Sequence, residues 1–73
     1  MNHLGKRIKE LWLEKEMTRE ELAVQLNVTK ATIILYESNK RVPPLEKLLI
    51  ITDIFEVTVD DLVKEKENDY YYL

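Results

Sequence analysis

Signals for the start of a helix recur along this 73-residue chain at Thr18, Thr29, Pro43 and Thr58. A Thr side chain accepts a hydrogen bond from a free backbone N–H of the first turn, and Pro is favoured at the first helical position. Because the chain contains one Gly and two Pro, the segments between these signals hold few residues that break a helix. The pattern predicts short helices joined by short connections and disfavours a β fold with many turns.

Apolar residues recur at helical spacing between these signals, which predicts five helices. They are expected at about residues 4–15, 19–26, 30–37, 43–56 and 59–65. The expected core positions are Leu4, Ile8, Leu11, Trp12, Leu22, Ala23, Leu26, Ile33, Tyr36, Leu45, Leu48, Leu49, Ile51, Phe55, Val59, Leu62 and Val63.

The second and third predicted helices are joined by a tight turn. Thr18 and Glu21 have the spacing of a capping box, in which each side chain bonds the other residue's backbone N–H. Asn27 follows the second helix and suits the left-handed conformation at a helix end. Ala23 is small enough for the two helices to cross closely. This unit leaves the third helix protruding, with its first residues free to enter the major groove of DNA.

Several motifs from residue 4 to residue 63 together resemble the phage Cro/repressor-type helix-turn-helix family, also called the XRE family. The motifs of the first three helices and the following loop are Ile8-x-x-Leu11, Thr18-Arg19-Glu20-Glu21-Leu22-Ala23, Leu26-Asn27-Val28-Thr29, Thr32-Ile33, Tyr36-Glu37 and Lys40-Arg41-x-Pro43. The motifs downstream are Leu45-Glu46-x-Leu48-Leu49-x-Ile51 and Val57-Thr58-x-Asp60-x-Leu62.

The resemblance implies an all-α, five-helix bundle of the lambda-repressor-like type, with the helix-turn-helix at helices 2 and 3. It implies a regulator, expected to be a repressor, that binds double-stranded DNA as a homodimer on an inverted-repeat operator. Thr18 and Arg19 would meet a phosphate at the start of the second helix. The residues expected at the groove, at and after the third helix start, are Thr29, Lys30, Ala31, Thr32, Ile34 and Leu35. The residues expected to grip the DNA backbone are Asn39, Lys40 and Arg41.

The chain departs from the family pattern at several positions. Arg19 stands where relatives often have Gln, and Ile34 and Leu35 stand where they usually have polar residues. An apolar side chain there can contact a thymine methyl group or bury itself against another protein. Apolar residues also occupy commonly polar positions at Trp12, Leu13 and Ile50, so exposed apolar surface is expected. The alternative function is therefore a protein-interaction or dimerisation module that keeps the fold without reading DNA.

The charge is unevenly distributed along the chain. The net charge is −3, but residues 1–52 carry +2 and residues 53–73 carry −5. Phosphate contacts depend on local charge, so a positive face outside the acidic C-terminal end stays compatible with DNA binding. Among the acidic residues, Glu37 and Glu46 are expected to form local salt bridges or caps. Asp60 and Asp61 are expected to complement the start of the fifth helix.

The composition disfavours other functional classes. The chain has no Cys for a disulfide or a zinc site, and its one His, His3, is expected to be a solvated terminal residue. The lone Gly5 excludes a Gly-rich phosphate loop, and no catalytic set of side chains is visible. The longest aliphatic run, residues 48–51, is far shorter than the ~20 residues that span a bilayer. We therefore expect no enzyme activity, cofactor, metal or membrane partner, and a cytoplasmic location.

The domain is expected to span residues 1–66, followed by a tail at residues 67–73. The tail contains Tyr70, Tyr71 and Tyr72. These tyrosines are interpreted either as a loosely ordered end or as a docked dimerisation arm.

Overall fold

A computed structural model describes residues 3–63, and within that range the chain forms helices and no strand. The helices are α1 (Leu4–Glu14), α2 (Arg19–Leu26), α3 (Lys30–Glu37), α4 (Leu45–Phe55) and α5 (Val59–Val63). The predicted all-α, five-helix architecture is confirmed. The expected end of the fifth helix near Glu65, the domain boundary at residue 66 and the Tyr70–Tyr72 tail lie outside the described residues.

Three helices begin at the threonines that the sequence indicates. Thr18 Oγ1 accepts from the Glu21 N–H at 3.1 Å, and the Glu21 carboxylate accepts from the Thr18 N–H at 2.8 Å, so the capping box is complete. Thr29 Oγ1 accepts from the Thr32 N–H, and Thr58 Oγ1 accepts from the Asp61 N–H. Each contact satisfies a backbone donor that the first turn of a helix leaves free.

The helices also end abruptly, because residues with positive φ reverse the chain without glycine. Asn27 has φ 59° at the end of α2, as predicted, and the Val28 N–H donates to the Ala23 carbonyl at 3.0 Å. Glu16, Asn39 and Glu56 adopt the same left-handed conformation just after α1, α3 and α4. Asn tolerates this conformation better than Glu does. The tight turn between α2 and α3 therefore follows from Asn27 itself.

One hydrophobic core joins the helices, with α1 lying across α3 and α5 and α2 lying against α3 and α4. The buried apolar residues are Leu4, Ile8, Leu11, Trp12, Leu22, Ala23, Leu26, Ile33, Tyr36, Ile51, Phe55 and Leu62. The inward faces expected for α1, α2 and α3 are confirmed.

The expected inward face of α4 is partly wrong. Ile51 and Phe55 are buried, but Leu45 is 65% exposed and Leu49 is 50% exposed. Apolar residues of α4 occupy more than one helical stripe, and the bundle covers only one of them. Val63 at the end of α5 is also exposed rather than buried.

The unusual apolar positions behave differently from one another. Trp12 is buried in the core, as its helical spacing predicts, while Leu13 is exposed. Ile50 is partly buried and packs against the core. Trp12, Leu13 and Ile50 are the three apolar positions at which exposed surface was expected. Only Leu13 supplies an exposed apolar side chain.

Two long-range polar contacts fix the outer helices to the bundle. Arg7 of α1 forms a salt bridge with Asp61 of α5, with Nη2 and Oδ2 3.0 Å apart. The side-chain hydrogen bond from Asp61 raises the pKa of Arg7 and is partly opposed by burial. Lys47 of α4 donates from Nζ to the Leu26 carbonyl at 2.9 Å, which ties α4 to the end of α2.

None of the helices in residues 3–63 is long and apolar enough to cross a membrane.

Candidate nucleic-acid interface

The first turn of α3 is open to solvent. Thr29, Lys30 and Ala31 are exposed, and Thr32 is partly buried. The hydroxyls of Thr29 and Thr32 lie 3.0 Å apart and share a hydrogen bond. No part of the described chain covers this turn, so a DNA duplex can reach it.

The outward side of α3 continues with apolar residues. Ile33 and Tyr36 are buried, which turns Ile34 outward and leaves it 45% exposed. Leu35 is partly buried at the edge of the same surface. This part of α3 can make van der Waals contacts, but neither side chain can hydrogen-bond a base edge.

The loop that follows α3 holds two cations in a defined backbone shape. Lys40 and Arg41 both donate from their backbone N–H to the Leu35 carbonyl, at 3.0 and 3.3 Å. Both side chains are exposed, and neither forms an ion pair with any residue from 3 to 63. The loop therefore presents two uncompensated positive charges at the end of α3.

Asn39 shapes this loop and also ties it to α1. It has φ 61°, and its Oδ1 accepts from the Gly5 N–H at 3.2 Å. The side-chain oxygen of Asn39 is thus occupied inside the molecule, and the amide nitrogen is the group left for a DNA contact. Contact of Asn39 with the DNA backbone stays a prediction.

Arg19 begins α2 and reaches across to the end of α3. Its Nη2 lies 3.0 Å from Glu37 Oε1, and its Cζ lies 5.0 Å from the centroid of the Trp12 ring. Glu37 thus forms a salt bridge, but with a residue 18 positions away on another helix and not the local one expected of it. The pair brings the start of α2 beside the end of α3. Thr18, immediately before Arg19, is exposed as the cap of α2.

Lys30 is paired on the protein surface. Its Nζ lies 3.0 Å from Glu20 Oε2, and both side chains are more than half exposed. The hydrogen bond from Lys30, followed by a backbone hydrogen bond, lowers the pKa of Glu20. The stabilisation from this pair is therefore present above the ordinary pKa range of Glu and is lost as pH falls through the lowered pKa. An exposed pair of this kind is weak, so Lys30 can leave Glu20 for a DNA contact at low cost.

The described range holds no cluster of His, Cys, Asp or Glu that could bind a metal ion.

A family model described as Helix-turn-helix matches residues 8–62. The chain belongs to the Cro/C1-type helix-turn-helix family. This match covers the open first turn of α3, the loop that holds Lys40 and Arg41, and the start of α2.

Curated members of this family that resemble the chain are transcriptional regulators. The HTH-type transcriptional activator BcrR of Enterococcus faecalis is 37% identical over 63 residues, which cover 86% of this chain and 31% of BcrR. The HTH-type transcriptional regulator AnsR of Bacillus subtilis is 37% identical over 62 residues, covering 84% of this chain and 53% of AnsR. The chain thus spans about a third to a half of the length of these two relatives.

Solved structures of helix-turn-helix proteins share the fold. The N-terminal DNA-binding domain of SinR from Bacillus subtilis matches with a TM-score of 0.74 and 31% identity, covering 88% of this chain and 94% of that domain. The P22 c2 repressor, solved in complex with a synthetic operator, matches with a TM-score of 0.78 and 23% identity, covering 84% and 92%. These matches confirm the lambda-repressor-like type of the bundle.

The structure also contains site features that sequence reasoning missed. Trp12 and Glu37 both contact Arg19. Gly5 packs against the end of α3, and its N–H donates to Asn39. No local motif signals these contacts, because the partners are far apart in the sequence. The Gln usually found at the position of Arg19 was the one hint that this residue has a different role here.

Proposed function

We propose that this chain is the DNA-binding domain of a transcriptional repressor, which reads double-stranded DNA as a homodimer on an inverted repeat. The observation that carries the proposal is the open first turn of α3 together with the unpaired charges of Lys40 and Arg41. The domain comprises residues 1–66, acts in the cytoplasm, and uses no cofactor and no catalytic step.

The interface contains two kinds of contact: contacts with phosphates position the protein, and contacts with bases read the sequence. Lys40 and Arg41 grip phosphates beside the groove, and Thr18 and Arg19 meet a phosphate from the start of α2. The first turn of α3 enters the major groove, where Lys30 can donate to a base edge. Ile34 and Leu35 contact thymine methyl groups, which recognise a base without a hydrogen bond.

Two copies on one operator explain the expected inverted repeat. A two-fold dimer places two α3 helices in successive major grooves, so the half-sites lie about 34 Å or one helical turn apart. Repression then needs only occupancy of the operator, which a bound dimer supplies by itself.

A titration against a random pool of duplex DNA at two salt concentrations tests the proposal. We expect fluorescence anisotropy to show binding at low salt that weakens steeply as salt is added, because bound phosphates release counterions. Selection of the bound duplexes should recover an inverted repeat. Absence of binding even at low salt would exclude DNA as the ligand and leave the interaction module as the function.

That second function is favoured by one observation, the 45% exposure of Ile34 on the outward side of α3. The relative SinR has been solved in a complex with the protein SinI, at 30% identity to this chain and a TM-score of 0.74, with 90% of this chain and 65% of that chain covered. As an interaction module, this chain would capture a protein partner or a second copy and show no DNA affinity.

We expect Leu35→Gln to change the base preference without abolishing binding. The amide can hydrogen-bond adenine, whereas the leucine can contact only a thymine methyl group. The preference at one position of each half-site should shift by about 1–3 kcal/mol. Parallel selections with the wild type and the variant measure this shift. Selection of identical sequences by both proteins would show that Leu35 does not read a base.

A further inference from the structure

The Arg19 guanidinium is fixed by a nearly buried carboxylate. Its Nε lies 3.0 and 3.1 Å from the two Glu37 oxygens, and its Nη2 lies 3.0 Å from Oε1. The Glu37 side chain is 9% exposed and the Arg19 side chain is 31% exposed. The pair therefore has an inner, desolvated side at Glu37 and an outer side that faces solvent.

Trp12 holds both members of this pair. Its Nε1–H donates to Glu37 Oε2 at 2.8 Å, and its ring lies 5.0 Å from the Arg19 Cζ. The hydrogen bond fixes the carboxylate, and the ring face attracts the cation. Trp12 on α1, Arg19 on α2 and Glu37 on α3 thus form one cluster, the Arg19 clamp, in which each residue contacts the other two.

The clamp leaves part of the guanidinium unused. A guanidinium has about five N–H donors, and Glu37 occupies only those on Nε and one on Nη2. Nη1 has no partner among residues 3–63. The unused donors belong to the side chain of Arg19, the first residue of α2. The inner carboxylate fixes the side chain, and the outer donors remain available.

We propose that Glu37 and Trp12 are positioning residues that hold the Arg19 guanidinium ready to bind a DNA phosphate. This inference rests on the proposed function and names the residues that prepare one of its contacts with the DNA backbone. A fixed guanidinium loses less side-chain entropy when it binds a phosphate than a mobile one does. Its planar fork can contact Glu37 on one edge and a phosphate on the other.

Titration of a non-specific duplex over a range of salt concentrations tests the clamp. Arg19→Gln should weaken binding roughly tenfold, because it removes a charge-assisted hydrogen bond. It should also lower the slope of log affinity against log salt by about 0.9, the value for one phosphate contact. Lys9→Gln removes an equal charge from an exposed position on α1 and should leave the slope unchanged.

Replacement of Trp12 separates positioning from folding, since it changes no charge. Trp12→Leu removes the ring and the donor, and should weaken binding about two- to fivefold with a lower salt slope. The same change in an Arg19→Gln background should have no further effect. Trp12→Phe keeps the ring and should fall between the wild type and Trp12→Leu. Because Trp12 is buried, Trp12→Phe also carries the test if Trp12→Leu does not fold.

The results distinguish this inference from the function on which it rests. If the wild type binds the duplex and Arg19→Gln leaves the salt slope unchanged, the clamp only links three helices. The inference is then overturned, while the proposed function stands. Additive effects of Trp12→Phe and Arg19→Gln would also overturn it. If the wild type does not bind duplex DNA, both are overturned.

Discussion

Gly5→Ala is expected to destabilise the fold by about 3 kcal/mol, at the upper end of the range for overpacking. The same substitution inside a helix ordinarily stabilises by roughly 0.5–1 kcal/mol, so the expected sign is reversed. The Cβ would lie 2.6 Å from the Tyr36 carbonyl oxygen and closer still to the Glu37 carbonyl oxygen. Both are backbone atoms of α3, so no side-chain rotation can relieve the clash. α1 and α3 would have to move apart.

Urea unfolding of the wild type, Gly5→Ala and Lys6→Ala measures this effect. Lys6 is the exposed neighbour of Gly5 on α1, and its replacement should leave the free energy of unfolding nearly unchanged. Because the Gly5 N–H donates to Asn39, separation of α1 from α3 should also disturb the loop that holds Lys40 and Arg41. A Gly5→Ala protein as stable as the wild type would show that the two helices do not approach this closely.

Combined replacement of Lys40 and Arg41 by Ala is expected to weaken binding to every DNA sequence. Both side chains are exposed and unpaired within residues 3–63, and two backbone hydrogen bonds to the Leu35 carbonyl hold the loop in place. Loss of two phosphate contacts should lower the salt slope by about 1.8. If these contacts contribute nothing at about 1 M salt, the lower slope corresponds to roughly 60-fold weaker binding at about 0.1 M salt.

A charge-matched control makes this result specific to the loop. Lys6→Ala with Lys9→Ala removes the same charge from exposed positions of α1, and should lower affinity far less. Sequence preference should survive in the loop variant, because phosphate contacts carry no base information. Equal losses in the two double variants would show that net charge, and not the loop, determines affinity.

Helix positions were predictable because their signals are local. The capping contacts of Thr18, Thr29 and Thr58 each span three residues, so the side chain and its backbone partner are determined by adjacent sequence. Asn27 similarly ends α2 through its own backbone conformation. The positions of Lys30, Lys40 and Arg41 relative to α3 follow directly from the helix limits.

The inward face of α4 was only partly predictable. Leu45, Leu49, Ile51 and Phe55 all fit helical spacing, yet only Ile51 and Phe55 are buried. Periodicity identifies an amphipathic helix but cannot choose between neighbouring apolar stripes. The choice depends on the angle at which α4 meets α2 and α5, which no segment of α4 encodes alone.

The contacts that could not be predicted connect distant residues. Arg19 and Glu37 are 18 residues apart, Trp12 and Glu37 are 25 apart, and Gly5 and Asn39 are 34 apart. Nothing in the sequence near Arg19 indicates that its guanidinium meets a carboxylate before it meets any phosphate. The need for a glycine at residue 5 arises from the end of α3, not from α1.

The amino-acid sequence by itself determined where α2, α3 and α5 begin, the tight turn before α3 and the family to which the chain belongs. The helix starts depend on side chains bonding backbone groups within one helical turn, and the tight turn depends on the backbone conformation of Asn27. Only the tertiary structure decided which face of α4 is covered, why residue 5 must be glycine and what holds Arg19 in place. Those features depend on distances between helices, which the packing of the whole bundle sets.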